Sequence, residues 1–333
     1  MSKKDFKTFT EKEIFEIPSV IRELTKEYQK IVKSDEFLGL QDYIHLCDCI
    51  HIVGCGTAYH AGLMIGLMFE RLVGKRARVY IASEFEKPVI GNQDLGIVIS
   101  QSGETTDTLD AMSVMKKSGM PIVAICNVKE SSIVRDADTY LPVLAGEEIG
   151  IASTKAYVAQ VLVGFALASG KCDWDNMAMF IESILKDANV YKELAKENKD
   201  IQSYFFMGRG FDVVTAKESA LKLKEITYKH CEGYPLKEFR HGPIAMVDNR
   251  CLCVLFDGDG ANKLSDELKQ KGASIYMLEP DKFAWKNKNK NEVQVLKTIL
   301  NIVPMQLVAL YIAEELGLDV DKPRGLTKAV IVK

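Results

Sequence analysis

The fold is decided by the stretch from Leu95 to Thr108, which reads LGIVISQSGETTDT. Its apolar first half predicts a buried β-strand, Gly103 permits a tight turn, and the residues from Leu109 to Met115 continue as a helix. The turn therefore lies at a helix N-terminus, where backbone N–H groups and the positive end of the helix dipole favour an anion.

Hydroxyl side chains follow one another through this turn and can donate further hydrogen bonds to an anion. They are Ser100, Ser102, Thr105 and Thr106. No Lys or Arg accompanies them, which suits a sugar phosphate better than a nucleoside triphosphate with magnesium, because the latter usually requires a P-loop lysine. An ordinary strand-to-helix turn capped by Ser and Thr is equally compatible with these residues. The stretch by itself leaves both interpretations open.

Apolar strand segments alternate with helical segments along most of the chain. Strands are predicted at 50–53, 77–81, 95–99, 121–126, 204–207, 251–256 and 273–278. This alternation predicts an α/β fold in which doubly wound parallel sheets carry helices on both faces. Anion-binding turns then belong at the carboxyl ends of the strands.

The chain also carries an internal duplication. The interval between Gly54 and Gly208 is the same as that between Glu84-Phe85 and Glu238-Phe239. Two copies of one α/β unit are therefore predicted. In the second copy, Asp257 and Asp259 replace the hydroxyl-rich turn, and carboxylates there would repel a phosphate. We therefore expect only the first copy to hold the anion.

Composition narrows the class of protein. The chain has 333 residues, 47% of them hydrophobic and 27% charged, with a net charge of -3. That length suits two domains, and the charge favours neither nucleic acid nor an anionic membrane. No apolar run is read as a membrane span, and the N-terminus lacks the apolar core of a signal peptide. A soluble cytoplasmic protein is expected.

Eight scattered cysteines suggest small buried residues in a reducing compartment rather than a disulfide framework. Four potential metal ligands, His45, Cys47, Cys49 and His51, alternate through a predicted strand entrance. Successive residues on one face of a strand are roughly 6–7 Å apart, which spreads these four too far for one tetrahedral metal ion. No metal site is therefore expected.

Five motifs in a fixed order identify a family. They are Ser100–Thr105, Glu147–Tyr157, Leu221–Ile226, His241–Pro243 and Asp321–Lys328. Together they resemble the sugar isomerase (SIS) family, and within it the paired SIS domains of glutamine:fructose-6-phosphate aminotransferases, the glucosamine-6-phosphate synthases. The resemblance covers nearly the whole chain and implies two tandem SIS domains, each a doubly wound, flavodoxin-like parallel sheet flanked by helices.

The predicted segments follow from this duplication and resemblance. They are a helical entry (1–40), a first SIS domain that binds the sugar phosphate (41–172), a helical linker (173–200), a second SIS domain (201–318) and a catalytic tail (319–333). The entry helix has a capping pattern, Thr10 followed by Glu13, and Ser153 is the predicted N-cap of a long apolar helix in the first domain.

The resemblance also implies the substrate-binding residues. Ser100, Gln101, Ser102 and Thr105 would hold the sugar phosphate; Cys55, Gly56 and Thr57 would line the sugar site, with Ser153 nearby and Arg324 as support in the tail. The sequence departs from the family at Ala58, where the family usually has a serine that helps to bind the phosphate. We therefore expect weaker phosphate binding at that position.

Four further residues carry the implied chemistry. Glu225 would be the base that moves a proton between C1 and C2, with Lys222 beside it on the same helical face; by themselves, two such charges would read as a solvated ion pair. His241 would open the sugar ring, reaching in from the neighbouring subunit of a homodimer. Lys328 would form a Schiff base with the ketose. No metal or organic cofactor is implied.

The family synthase carries an N-terminal glutaminase domain whose nucleophilic cysteine follows the initiator methionine, and Ser2 stands there in this chain. We expect no glutaminase activity, with ammonia coming from solution or from a separate glutamine amidotransferase. The resemblance thus implies interconversion of fructose 6-phosphate plus ammonia with glucosamine 6-phosphate, synthesis being preferred.

Two alternatives stay open. The nearer is a glucosamine-6-phosphate deaminase or fructosamine-6-phosphate deglycase of the SIS type. The other is a non-catalytic sugar-phosphate sensor, which is disfavoured because no helix-turn-helix segment is visible and Glu225, His241 and Lys328 are all present.

Overall fold

The strands form two parallel sheets. The computed structural model describes residues 6–86, 88–256, 258–278 and 289–328. The first sheet contains β1 (Ile50–Gly54), β2 (Ala77–Ile81), β3 (Leu95–Ser100), β4 (Ile122–Cys126) and β5 (Thr139–Pro142). The second contains β6 (Ser203–Gly208), β7 (His230–Pro235), β8 (Cys251–Leu255) and β9 (Ser274–Met277). The predicted strands and their parallel pairing are confirmed.

Helices connect these strands. In the described part of the chain the α-helices are α1 (Phe9–Phe15), α2 (Ile17–Ile31), α3 (Asp35–Leu46), α4 (Gly56–Met68), α5 (Thr106–Lys117), α6 (Ser132–Asp136), α7 (Lys155–Ser169), α8 (Asp175–Lys186), α9 (Asn189–Asn198), α10 (Asp212–Thr227), α11 (Gly258–Gln270) and α12 (Lys290–Glu315). By length and composition α12 could cross a membrane, but 94% of its apolar window is buried within the protein. It is a core helix.

The two sheets repeat one topology, which confirms the duplication. Their strand orders are β2-β1-β3-β4-β5 and β7-β6-β8-β9. At equivalent turns after β1 and β6, Gly56 and Gly210 have positive φ values of 52° and 59°. A Cβ at Gly54 would lie 2.8 Å from the carbonyl carbon of Ala58, so the helix approaches the strand too closely for a side chain.

The described residues divide into two compact units that interleave in sequence. The first unit, built on β1–β5, comprises Glu16–Glu148, Ser153–Ala178 and the chain from Thr327. The second unit, built on β6–β9, comprises the chain up to Phe15, Ile149–Ala152 and Met179–Leu326. Helix α1 therefore belongs with the second sheet, and Lys328 belongs with the first.

Both capping predictions are wrong. The Thr8 hydroxyl, not that of Thr10, caps α1 by accepting from the backbone N–H of Glu11 at 3.1 Å. Helix α7 follows Thr154 rather than Ser153, and the Ser153 hydroxyl donates instead to the Glu148 carboxylate at 2.7 Å. In each case, the polar side chain binds a partner outside its own helix.

The predicted alternation of four metal-ligand side chains in one strand is also wrong. His45 lies in the last turn of α3, Cys47 caps that helix, and only His51 lies within β1. The His51 imidazole is fully buried and its Nε2 lies 2.9 Å from Asp94 Oδ2. Within the described ranges no group of three or more His, Cys, Asp or Glu side chains is placed to hold a metal ion.

Candidate active site

The hydroxyl-rich turn joins β3 to α5 in the first unit. Gly103 has a φ of 70°, and a Cβ there would lie 2.1 Å from Ser131 Oγ, so only glycine fits. The Gly103 N–H donates to Ser100 Oγ at 2.8 Å, and the Glu104 N–H donates to Ser102 Oγ at 3.2 Å. Ser100 and Ser102 thus shape the turn in which they were predicted to bind phosphate.

Donors remain available at the end of this turn. Thr105 is the N-cap of α5, and its side chain makes no capping hydrogen bond among the described residues. Gln101 and Ser102 are half-buried, so they are reachable from outside the protein. Hydroxyls and the N-terminus of a 12-residue helix together make an arrangement that suits a phosphate.

Glu104 places one negative charge in the same turn. Its carboxylate accepts the backbone N–H of Ser132 at 2.8 Å. That bond and the Ser132 hydroxyl hold the pKa of Glu104 below its ordinary value. The charge is therefore stabilised by hydrogen bonds within the protein.

The turn after β1 lies beside the first one, because β1 and β3 are neighbours in the sheet. Cys55 and Thr57 belong to this turn, and Cys55 Sγ lies 3.7 Å from Thr108 Oγ1 of α5. Burial raises the pKa of the Cys55 thiol, which argues against a nucleophilic thiolate. The sheet order reverses between β1 and β3, and ligands of open α/β sheets bind at such a switch point.

A buried carboxylate holds the tail lysine in the first unit. The Glu148 side chain is inaccessible to solvent, and its Oε2 accepts Lys328 Nζ at 2.8 Å and Ser153 Oγ at 2.7 Å. Its Oε1 accepts the backbone N–H groups of Thr154 at 2.9 Å and Ala156 at 3.2 Å. Two of the predicted site residues, Ser153 and Lys328, thus meet on one carboxylate.

The ionisation of Glu148 depends on these partners. Burial by itself would raise the pKa of the carboxyl, but the Lys328 ammonium and the hydrogen bonds from Ser153 and Thr154 outweigh it, and the pKa lies below its ordinary value. Glu148 is therefore a carboxylate at neutral pH. The tail beyond Lys328, residues 329–333, lies outside the described residues.

In the second unit, α10 carries a cluster of charges. Lys222 Nζ lies 2.6 Å from Glu225 Oε2 and 3.6 Å from Glu218 Oε1. The Lys222 and Glu218 side chains are 2% and 0% exposed, whereas Glu225 is 21% exposed. The predicted pair is therefore not a solvated ion pair, and Glu225 is the member that a substrate could reach.

Two other predicted residues lie in the second unit. His241 ends a short 3-10 helix, Glu238–His241, and is exposed. Arg324 stacks its guanidinium over the Tyr228 ring at 4.2 Å and donates its backbone N–H to the Tyr228 hydroxyl at 2.8 Å. Because Tyr228 caps α10, the tail is fixed next to the helix that carries Glu225.

Two carboxylates of these clusters do not stand out in the sequence. Glu148 follows another glutamate in a loop, and Glu218 is one of several charges on α10. A signal for Glu218 exists, since it lies four residues before Lys222 on the same helical face. The prediction of a phosphate-repelling turn in the second copy depends on Asp257 and Asp259. Asp257 and the side chain of Asp259 lie outside what the structure describes.

Comparison with known proteins decides the family. The model of the SIS domain matches residues 43–170 and 199–278. The chain belongs to the SIS family. Its strand order and its paired sheets are those expected of two tandem SIS domains.

Curated relatives include glutamine–fructose-6-phosphate aminotransferases. The protein from Methanothermobacter thermautotrophicus is 39% identical over 98% of this chain, and that from Fusobacterium nucleatum is 39% identical over all of it. The chain spans 58% and 60% of the length of these two relatives. The likeness therefore concerns part of each relative only.

Solved structures agree with this assignment. The C-terminal domain of glucosamine-fructose-6-phosphate aminotransferase from Francisella tularensis is 30% identical, with a TM-score of 0.80, and the match covers 97% of this chain and all of that one. Glucosamine-6-phosphate deaminase from Thermotoga maritima is 25% identical, with a TM-score of 0.80, over 98% of this chain and all of that one. The chain is thus similar to SIS proteins of sugar-phosphate isomerase type.

Proposed function

We propose that this chain interconverts fructose 6-phosphate plus ammonia and glucosamine 6-phosphate, with synthesis as the preferred direction. The observation that carries the proposal is the cluster on α10, where an accessible Glu225 carboxylate lies 2.6 Å from a buried lysine. A carboxylate held beside a cation and open to substrate is suited to moving a proton between neighbouring carbons. Lys222 orients this base.

The first unit supplies the binding groups in this proposal. The sugar phosphate is held by Ser100, Gln101, Ser102 and Thr105, and the sugar is lined by Cys55, Gly56, Thr57 and Ser153, with Arg324 supporting the tail. The phosphate fits the β3–α5 turn because hydroxyls and a helix N-terminus converge there.

The proposed reaction uses side chains alone. His241 opens the sugar ring. Lys328 passes the proton of its ammonium to the Glu148 carboxylate, and the neutral amine attacks the C2 carbonyl, so that an imine forms and water leaves. Ammonia then displaces the lysine and leaves a C2 imine. Glu225 takes a proton from C1 and returns it at C2, while the C1 hydroxyl loses its proton and the imine nitrogen gains one, so that the C2 imine becomes an amine and the C1 alcohol becomes an aldehyde.

The proposal includes a cytoplasmic homodimer with a shared site, into which His241 reaches from the neighbouring subunit. Mixing Glu225→Gln and His241→Asn proteins tests this arrangement. If the sites are shared, one site of each mixed dimer contains both intact residues, so mixing restores activity up to about half per mixed dimer. Two inactive proteins that stay inactive together would exclude the shared site.

Product analysis by NMR tests the reaction itself. Purified protein is incubated with fructose 6-phosphate and ammonium, with glucosamine 6-phosphate alone, and with fructose 6-phosphate and glutamine. We expect glucosamine 6-phosphate from ammonium and none from glutamine, with ammonia supplied in the cell from solution or by a separate amidotransferase. No turnover in any reaction would overturn the proposal.

The second candidate function is deamination. It is favoured by the match to the glucosamine-6-phosphate deaminase of Thermotoga maritima over 98% of this chain. An enzyme accelerates both directions, so the two candidates differ in which direction is efficient. Rapid release of ammonia from glucosamine 6-phosphate, with negligible synthesis at millimolar ammonium, would identify a deaminase.

A further inference from the structure

The start of the C-terminal tail is fastened to α1 within the second unit. The Asp321 carboxylate accepts the backbone N–H groups of Phe9 and Thr10, each at 2.8 Å, and the Thr10 hydroxyl at 2.9 Å. Thr10 is 1% exposed. A residue near the end of the chain therefore completes the first turn of a helix near its beginning.

The loop before α7 is fastened to the same helix. The Glu13 carboxylate, which is buried, accepts the backbone N–H groups of Ile149 and of Gly150, the latter at 3.2 Å. A Cβ at Gly150 would lie 2.7 Å from Thr10 Oγ1 and 2.9 Å from Glu13 Oε2, so the loop approaches α1 too closely for a side chain. We name the residues Thr10, Glu13, Gly150 and Asp321 the α1 clasp.

The clasp is closed by one further contact. The backbone N–H of Ile151 donates to the carbonyl oxygen of Asp321 at 3.3 Å. Loop, helix and tail are thus each bound to the other two. Such a closed set of hydrogen bonds restricts all three segments more than any one pair would.

The clasp borders both partners of the Glu148–Lys328 ion pair along the chain. Glu148 directly precedes Ile149, and Lys328 follows Asp321 by a short segment. The clasp fixes where both segments begin, and the tail is fastened once more at Arg324 on Tyr228, so only a short segment is left to carry Lys328. A shorter free segment lowers the entropic cost of bringing Lys328 to one position.

The chemistry of the clasp argues against a role in packing alone. Two carboxylates, Glu13 and Asp321, take part in it, and apolar side chains would hold α1 against its surroundings without the desolvation of charge. Carboxylates that accept backbone N–H groups fix both position and direction. This property matters where a neighbouring segment carries a reactive group.

We propose that Thr10, Glu13 and Asp321 are positioning residues for Lys328. The inference rests on the proposed function, in which Lys328 forms the Schiff base with the sugar. The clasp sets where the tail begins and where the Glu148 loop begins, and so limits the positions that the lysine amine can take. None of the three residues touches the substrate in this arrangement.

The test compares four variants of the full-length chain. Asp321→Ala removes all three acceptor bonds, whereas Asp321→Asn keeps an oxygen that can accept from Thr10. Thr10→Val removes only the hydroxyl. Ser34→Ala is the matched control, because it removes a helix-capping hydroxyl, the acceptor of the Phe37 N–H at 3.2 Å, from α3 in the first unit.

We expect kcat to fall about tenfold or more in Asp321→Ala, with the KM for fructose 6-phosphate within about twofold, because a small misplacement of a reacting group slows chemistry without weakening phosphate binding. Asp321→Asn should recover part of this loss. Thr10→Val should lower kcat about threefold, as one lost hydrogen bond suggests. Trypsin should cleave after Arg324 faster in Asp321→Ala than in the parent or in Ser34→Ala.

A kcat for Asp321→Ala equal to that of Ser34→Ala at the same folded fraction would overturn the inference. If Asp321→Ala does not fold, Thr10→Val decides, since unchanged kcat and unchanged trypsin cleavage in that variant would also overturn it. Reduction with borohydride in the presence of fructose 6-phosphate distinguishes a failure of the clasp proposal from a failure of the proposed function. A parent protein that forms no adduct at Lys328 contradicts the Schiff base, whereas equal adduct in parent and Asp321→Ala contradicts the clasp.

Discussion

The two copies of the α/β unit bury different side chains on equivalent helices, α4 in the first unit and α10 in the second. Counted from the equivalent glycines Gly54 and Gly208, Met64 and Met68 of α4 correspond to Glu218 and Lys222 of α10. The two methionines are fully buried in the first unit. In the second unit, the charged pair is buried to the same extent, at 0% and 2% exposure.

This difference separates packing from chemistry. Methionines suffice to pack such a helix on its sheet, so the fold does not require charges at these positions. Burying a lysine and carboxylates instead costs desolvation energy, and apolar replacements of buried ion pairs are often neutral or stabilising. The second copy therefore carries at α10 a feature that stability does not explain, and Glu225 is its accessible end.

The largest expected effect follows from removing that accessible carboxylate. Glu225→Gln should lower kcat about a thousandfold, since a positioned general base contributes roughly 10²–10⁴ in rate. The Kd for fructose 6-phosphate should change little, because the predicted phosphate ligands lie in the first unit. Steady-state kinetics and calorimetric binding measure the two quantities.

The matched control for this variant is Glu315→Gln. Glu315 pairs with Lys199 at 3.0 Å on the surface and is 38% exposed, so its loss should leave kcat unchanged. Sugar-phosphate binding with no turnover in the parent protein, unaltered by Glu225→Gln, would instead indicate a sensor.

A second prediction makes the second copy resemble the first. Lys222→Met removes the cation that pairs with both Glu218 and Glu225. Because it leaves two carboxylates without their positive partner, it should destabilise the protein by about 3 kcal/mol. The double variant Glu218→Met and Lys222→Met, which restores the methionines of α4, should lie within about 1 kcal/mol of the parent. Denaturant unfolding measures both free energies.

In the double variant, stability should be recovered while activity is not. The double variant should remain inactive even though it is folded, because Glu225 has lost the lysine that orients it. A double variant as unstable as Lys222→Met would contradict the view that α10 bears its charges for chemistry.

A third prediction concerns the ion pair of the first unit. The pKa of Glu148 lies below its ordinary value of 4.5, so the folded protein binds this proton less readily than the unfolded chain. The pair therefore stabilises the fold above about pH 4.5, and this stabilisation is lost as the pH falls through the lower folded pKa. Unfolding free energies in the parent should show this loss, and those of Glu148→Gln should not.

Asp248, whose ion pair is exposed to solvent, is the control for the effect of burial on the acid dependence of stability. Its pKa is also lowered, by hydrogen bonds from Arg250, but the pair is exposed to solvent. Salt at about 0.5 M should suppress the acid dependence due to Asp248 and leave that of Glu148 largely intact, because buried pairs are screened less. Equal suppression of both would mean that the Glu148 pair is solvated.

Much of the fold could be predicted because local patterns decide it. The apolar run Leu95–Ile99 and the turn that follows form β3 and the N-terminus of α5, as their local pattern predicts. The repeated interval between Gly54 and Gly208 reports a close approach of helix to strand, which only glycine allows. The strand pattern and the close approach at each glycine are each contained within a few neighbouring residues.

Several errors and omissions concern partners that are distant in sequence. Thr10 and Glu13 match a capping box, but their side chains bind Asp321 and the loop at Gly150, which local spacing cannot indicate. Glu148 was missed because its ion-pair partner Lys328 is distant in sequence. Glu218 lies only four residues from Lys222 and was missed because spacing does not reveal burial. A charge buried by tertiary packing has the same sequence signature as one on a solvated face.

The smallest predicted effect returns to the first copy, at Ala58. The corresponding residue of the second copy is Asp212, whose carboxylate accepts from Asn301 Nδ2 at 2.8 Å. Ala58 is half-buried near the start of α4, at the carboxyl end of β1, where a side-chain hydroxyl could donate to a phosphate. Ala58→Ser should therefore lower the KM for fructose 6-phosphate about threefold, as one added hydrogen bond to a charged group allows.

The reverse substitution sharpens the comparison. Ala58→Asp would give the first copy the carboxylate of the second, and should raise the KM through repulsion of the phosphate, with kcat little changed. Ser118→Ala, at the far end of α5, serves as a control for the loss or gain of a helix-terminal hydroxyl, since the Ser118 hydroxyl donates to the carbonyl oxygen of Met115 in its own helix at 2.6 Å. If Ala58→Ser and Ala58→Asp changed the KM in the same direction, the phosphate would not lie at this edge of the sheet. The inference that the first copy binds the phosphate would then be wrong.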